Sequence, residues 1–432
     1  MYRAIVLLLI LCIIPLSLQA AEPEIDASLN WPQWRGPLGT GAAPTGNPPI
    51  KWNEQQNIRW KTRLSGTGYG TPVIWENSIF VSSAILPAAS LPSAGSKLPS
   101  DPVKFIVTAI DRTSGKTLWE RTAREAIPHQ RVHSSSTWSA GSPITDGKHV
   151  YAFFGSFGIY CYTMDGDLVW EKDLGDMDIR AQFGEGSTPA LYKDRLIVLW
   201  DHEGQSFITA LDSATGEELW KKNRDEGTTW VTPLIVEVGD RVQVITGGTN
   251  RVRTYDLETG DIIWEDEGLT ANVIPTPVTV DGIAYITSGH RGSALRAVKL
   301  SEAKGTITGT PAILWSYNQD TPYVPSPLLQ GGLLYFLKSN NGILTCVNIA
   351  TGQPHYANQR LEGIKSIYAS PVGSTDSVYI LGREGVTMVV KHGPEFSVLA
   401  TNKLDDNFDA SPVIVGNDIF LRGHQYLYCI GE

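Results

Sequence analysis

Asp212-Ser-Ala-Thr-Gly-Glu-Glu-Leu-Trp220, followed by Thr232-Pro233, reads as a strand end, a glycine turn, a second strand closing on tryptophan, and the start of the next sheet. The phrase returns as Asp111-Arg-Thr-Ser-Gly-Lys-Thr-Leu-Trp119 and Asp256-Leu-Glu-Thr-Gly-Asp-Ile-Ile-Trp264, with a weaker copy at Asn348-Ile-Ala-Thr-Gly-Gln-Pro-His-Tyr356. A period of this length marks a solenoid, a propeller or an array.

Working outward, a Thr-Pro or Ser-Pro pair introduces each hydrophobic hairpin, at Pro72, Pro143, Pro189, Pro233, Pro277, Pro327, Pro371 and Pro412. The intervals are 71, 46, 44, 44, 50, 44 and 41 residues, so eight units follow one another with one large insertion in the first. Each start leads into alternating hydrophobic runs separated by turn residues, four short strands per unit, which is the pattern of a propeller blade. No segment sustains the 3.6-residue period that a helical solenoid needs. The expected fold is all-β: an eight-bladed β-propeller of four-stranded antiparallel blades over residues 57–432.

The residue types have physical reasons. Proline donates nothing to a sheet ladder, so it is tolerated where the first strand begins on the open edge beside the channel. Gly115, Gly216, Gly260 and Gly352 permit the positive φ of a tight turn, and the preceding Asp or Asn bonds back to the turn backbone. The tryptophans of the fourth strand, Trp60, Trp119, Trp170, Trp220, Trp264 and Trp315, are expected to pack on the neighbouring blade. The last unit ends at Cys429 without a fourth strand, and Asn57-Ile-Arg-Trp60 stands 11 residues before Thr71, at nearly the same Trp-to-Thr spacing as Trp220 to Thr232. The N-terminal strand should therefore complete the last blade and close the ring. Cys161, Cys346 and Cys429 share one small-residue slot in separate blades, too far apart for the 4.4–6.8 Å Cα separation of a disulfide, and are expected as buried free thiols.

Ahead of the repeats, Arg3, the apolar run Ala4–Leu18 and Gln19-Ala20-Ala21 read as a secretory signal peptide over residues 1–20, with an uncleaved anchor as the alternative. Leu11 before Cys12 does not suit lipid attachment. Residues 21–56, containing Trp31-Pro-Gln-Trp-Arg-Gly-Pro37, form a lead-in segment held by packing or left flexible. The expectation is an exported protein, periplasmic or extracellular, monomeric, with no membrane span after cleavage. The net charge of -10 and the lack of a long Lys/Arg run argue against nucleic acid as a partner.

The D-x-x-[ST]-G-x-x-x-W turns, the Ser/Thr-Pro starts and the blade count resemble the pyrroloquinoline quinone (PQQ) repeat, or quinoprotein-like, β-propellers. The lead-in is similar to that of secreted BamB-like repeat proteins. The resemblance implies one of two functions: a PQQ- and calcium-dependent dehydrogenase of alcohols or sugars, or a propeller without cofactor that binds proteins. Alcohol dehydrogenases of this kind typically carry an adjacent Cys-Cys pair, which this sequence lacks.

A site is expected on the face that carries the connections between blades and the loops between second and third strands. Just before the proline starts stand Tyr69, Trp138, Phe183, Trp230, Tyr323, Tyr368 and Phe408, either as blade-to-blade packing or as a stacking surface. The loops of the same face carry His202, Arg251, His290, Arg291, Arg383, Arg422 and His424, and His129 and His133 lie in an insertion there. Residues 86–102 and 121–141 are insertions on this face, able to form a lid or a docking edge, whereas Ser301 to Pro311 lies on the opposite face. No catalytic motif or metal-ligand spacing is present, and acid pairs such as Asp405-Asp406 and Asp176/Asp178 read as solvated loops. The leading expectation is a non-catalytic scaffold for a protein or envelope polysaccharide, without cofactor. A PQQ oxidoreductase and a carbohydrate-active or glycan-binding propeller are the alternatives.

Overall fold

The computed structural model describes residues 26, 29–87 and 98–432. The signal peptide, Cys12 and the centre of the 86–102 insertion lie outside the described residues. Eight antiparallel sheets follow one another, each built in chain order from its inner strand outward. Blade 3 is typical: Ala190–Tyr192, Arg195–Trp200, Phe207–Asp212 and Glu218–Asn223, here strands A to D. In all eight blades strand A begins at the residue after the proline. Strand Ile58–Arg63 pairs antiparallel with Tyr426–Ile430 and supplies the fourth strand of blade 8, so the ring closes between its two ends as expected.

On the outside, five of the eight blade joints lock through a strand D tryptophan. The Trp220 indole lies over Gly260, where an added Cβ would stand 2.6 Å from the ring, and its N–H donates to Leu257 O at 2.8 Å. Trp60 over Gly115, Trp119 over Gly166, Trp170 over Gly216 and Trp315 over Gly352 repeat the arrangement. The Thr-Gly and Ser-Gly turn glycines take φ of +69 to +73°, so the same residue permits the turn and leaves room for the neighbour's indole. Opposite each strand D aromatic stands the small slot of strand C: Ala109, Cys161, Ala210, Thr254, Ala297, Cys346 and Cys429. Blade 7 has no aromatic at this position, Val389 facing Ala400. The three cysteines are buried and free.

The joints after blades 6 and 7 lack it, with Tyr356 and Ala400 at the tryptophan position, and the joint after blade 4 departs in another way. Trp264 packs among blade 5 residues, but its N–H donates to Gln243 of its own blade, at 3.2 Å. Blade 5 has no turn glycine to receive it. Its 301–311 insertion instead folds back, and Gly305–Thr306 runs parallel to Trp264–Glu265 as a fifth strand of blade 4.

The inner edge is closed by hydroxyls. The N–H of the Ser or Thr before each proline donates to the side-chain oxygen of its counterpart in the next blade: Thr71 to Ser142, Ser142 to Thr188, Thr188 to Thr232, Thr276 to Ser326, Ser326 to Ser370, Ser370 to Ser411 and Ser411 to Thr71, at 2.8–3.3 Å. The chain of bonds breaks only between Thr232 and Thr276, where Thr276 Oγ1 is buried without a partner. This is the joint between blades 4 and 5 that carries the extra strand. An inner edge strand leaves its first N–H unpaired, and the neighbour's hydroxyl satisfies it.

The lead-in is ordered by packing. Trp31 pairs with Ile74 of blade 1, Pro32 O accepts from Thr145 of blade 2, Thr40 O from Leu329 of blade 6, and Gly41 and Ala43 pair with Gly373 of blade 7. It thus crosses the channel on the face opposite the proline starts. Arg35, 1% exposed, bonds the carbonyls of Thr40, Pro327 and Pro371, and burial without a carboxylate pulls its pKa down to about 9.

Candidate functional site

The crossing segment turns the channel into a cup. Trp34, from the lead-in, joins Tyr69, Phe183, Trp230, Tyr323 and Tyr368 around a cavity of about 420 Å³ that opens on the face of the proline starts. Hydroxyl-ring residues Thr71, Ser142, Thr188, Thr232, Ser370 and Ser411 line its wall. The insertion before blade 2 reaches over the mouth: His133 meets Phe183 edge-on at 5.4 Å, and Ser135 accepts a hydrogen bond from Tyr368 of blade 7.

Five of the seven expected aromatics therefore converge. Trp138 and Phe408 do not: Trp138 is held under the insertion by its N–H bond to Gln130 O at 3.0 Å and packs in the core of blades 1 and 2, and Phe408 is fully buried against Tyr428. Both occupy the right place along the chain, but local loop geometry turns their rings inward.

Of the polar candidates, three back the tyrosines. His424 stacks on Tyr69 at 4.8 Å, His290 on Tyr323 at 4.4 Å, and the Arg383 guanidinium lies 4.2 Å over Tyr368. The other four stand elsewhere. His202 is buried and accepts from the N–H groups of Asp178 and Gly204, Arg251 pairs with Glu265, and Arg291 is exposed on the rim. Arg422 is 2% exposed, bonded to Gly70 O, Ser82 O and Ser83 Oγ, with burial drawing its pKa down to about 9. It braces blades 8 and 1 rather than facing solvent.

Two carboxylates line the cup that sequence reasoning missed. Asp409 accepts Arg383 Nε at 2.5 Å, Arg383 Nη2 at 3.2 Å and His424 Nε2 at 2.7 Å, so its charge is matched by basic neighbours. Against the lowering by burial, those bonds raise the Arg383 pKa. Glu185 accepts the N–H and O–H of Ser156 at 2.6 and 2.5 Å, and burial pushes its carboxyl up to about 7, the Ser156 bonds pulling the other way. Nothing periodic marks either residue. Trp34 could have been found from the tryptophan-rich lead-in. Asp406, expected as a solvated loop carboxylate, is buried and accepts the N–H groups of Asn407, Gln425 and Tyr426. Among the described residues no three His, Cys, Asp or Glu are grouped to hold a metal ion, and no helix is long and apolar enough to cross a membrane.

A family model described as outer membrane protein assembly factor BamB matches residues 45–182, 103–233 and 204–432. The structure of BamB from Moraxella catarrhalis superposes with a TM-score of 0.59 at 13% identity, covering 86% of this chain and 99% of that one. Quinohemoprotein alcohol dehydrogenase from Comamonas testosteroni superposes with a TM-score of 0.63 at 11% identity, covering 94% and 81%. In sequence, the chain is 30% identical over 133 residues to 1-butanol dehydrogenase (quinone) of Thauera butanivorans, a match spanning 28% of this chain and 20% of that enzyme's length. The quinoprotein relatives raise the question of whether PQQ fits the cup. Trp34 and Trp230 would suit a planar ring, but PQQ carries three carboxylates, and no lining residue is a Lys or Arg that could receive them. The residues present do not fit it.

Proposed function

The chain belongs to the family described as outer membrane protein assembly factor BamB, and from that membership we propose that it is an exported, non-catalytic β-propeller that binds a protein or cell-envelope ligand in the aromatic cup. One observation carries the reading: six aromatic rings from the lead-in and five blade connections face a single blind cavity whose wall is a ring of hydroxyls. Its volume suits a side chain, a loop tip or a few sugar units rather than a folded domain. The engaged state of Asp409 supports binding over acid–base chemistry. Export rests on the N-terminal apolar stretch.

The likeness to a quinone-dependent butanol dehydrogenase favours the second reading, a PQQ oxidoreductase. Titrating the purified protein with PQQ and calcium separates the two. No saturable uptake and no dye-linked oxidation of alcohols or sugars are expected; uptake accompanied by oxidation would overturn the binding reading.

A further inference from the structure

The charge balance of the cup goes further than the word ligand. Its lining holds six aromatic side chains, two carboxylates and no lysine or arginine. Asp409 is matched by Arg383 and His424. Glu185 is bonded differently: its oxygens take the N–H and O–H of Ser156, and among the described residues no ion pair reaches it. Phe183 and Trp230, edge to face at 6.2 Å, stand beside it in the cavity wall, and Trp230 donates its indole N–H to Gly184 O, next to Glu185. A π face beside an unmatched carboxylate attracts a cation and repels an anion. The wall hydroxyls, each already accepting one N–H, keep a second lone pair that can face a cation. The protein's net charge of -10 favours the same sign of ligand at long range.

Resting on the proposed binding function, we infer that the cup takes an aliphatic ammonium group, seated against Phe183 and Trp230 with Glu185 as its counter-ion. Burial pushes the Glu185 carboxyl up to about 7, so the site carries its charge at pH 8, where the test is made.

The test is calorimetric titration of the full chain at pH 8 with choline and with 3,3-dimethylbutan-1-ol, its neutral counterpart of the same shape. Choline is expected to bind about tenfold or more tightly than the alcohol, a preference lost in Glu185→Gln. Phe183→Leu, which leaves the Ser156 bonds intact, should weaken choline severalfold, with unfolding curves recorded for both variants. A second arm compares the peptide Gly-Lys-Gly with its norleucine analogue. Tighter binding of the lysine peptide than of choline assigns the ammonium to a partner chain, and the reverse assigns it to a small molecule. Equal binding of choline and the alcohol, both lost in Trp230→Ala, would overturn the charge assignment while leaving the cup as a binding site. The absence of choline binding at concentrations of about 20 mM, far above the range of a built ammonium site, would overturn the inference as well. So would displacement of choline by calcium alone.

Discussion

Tyr368 donates its phenolic proton to Ser135 Oγ at 3.2 Å, although 233 residues separate them. Ser135 belongs to the insertion before blade 2 and Tyr368 to the connection before blade 7, so this bond spans the mouth of the cup. It gives the insertion the position of a lid, with His133 and Ser136 on its inner side. Tyr368→Phe should loosen it, raising amide hydrogen exchange across residues 129–136 with little change in Tm. Unchanged exchange there would mean that the lid is held by His129, Gln130 and Val132 alone.

The hydroxyl ring predicts a sharp distinction between two substitutions at Ser411. Ser411→Ala leaves the buried N–H of Ser370 without an acceptor and should cost about 1–3 kcal/mol, whereas Ser411→Thr should be nearly neutral. Urea unfolding midpoints measure both.

Two glycines with similar dihedrals separate strain from packing. At Gly239, with φ +64°, an added Cβ would meet no atom within 4 Å, whereas at Gly260, with φ +69°, it would meet Trp220. Gly239→Ala should cost about 1 kcal/mol from backbone strain alone. Gly260→Ala should cost about 1–3 kcal/mol more, because the indole must move. Trp220→Ala should be worse still, about 3–5 kcal/mol. Equal losses at the two glycines would show that the docking of indole on turn contributes nothing.

Glu185 gives a pH signature. Its folded pKa, about 7, lies above its ordinary 4.5, so the folded state holds the proton more tightly; burial is the main cause, with His129 and Asp176 acting on it in opposite directions. Stability from this group is fully present below pH 4.5 and is lost as pH rises through 7. Between pH 5 and 8 the wild type should lose about 2–4 °C of Tm relative to Glu185→Gln. Parallel Tm profiles would contradict the assignment.

Removal of residues 57–63 takes away the outer strand of blade 8 together with Trp60. Cooperative unfolding should disappear, as followed by circular dichroism; a truncated chain with an unchanged melting transition would contradict closure by this strand.

The ring was legible because its devices are local and repeat. Each Ser/Thr-Pro pair, each Asp-to-Trp turn and the spacing of Trp60 can be read within a dozen residues. The proline of each pair marks a strand start along the chain, but the hydroxyl beside it links one blade to the next, a relation visible only once the ring is assembled. The cup was half legible. Tyr69, Phe183, Trp230, Tyr323 and Tyr368 follow the repeat and converge, while Trp138 and Phe408 share their slot and turn inward because their connections differ. Glu185, Asp409 and Trp34 meet from three unrelated segments, and no spacing along the chain brings them together.

The most direct measurement is calorimetric titration of wild-type protein and Trp230→Ala with soluble peptide and polysaccharide fractions prepared from the cell envelope. The account predicts saturable binding of one fraction by the wild type, lost in Trp230→Ala while the melting transition persists. Binding that survives Trp230→Ala unchanged would contradict the cup as the functional site.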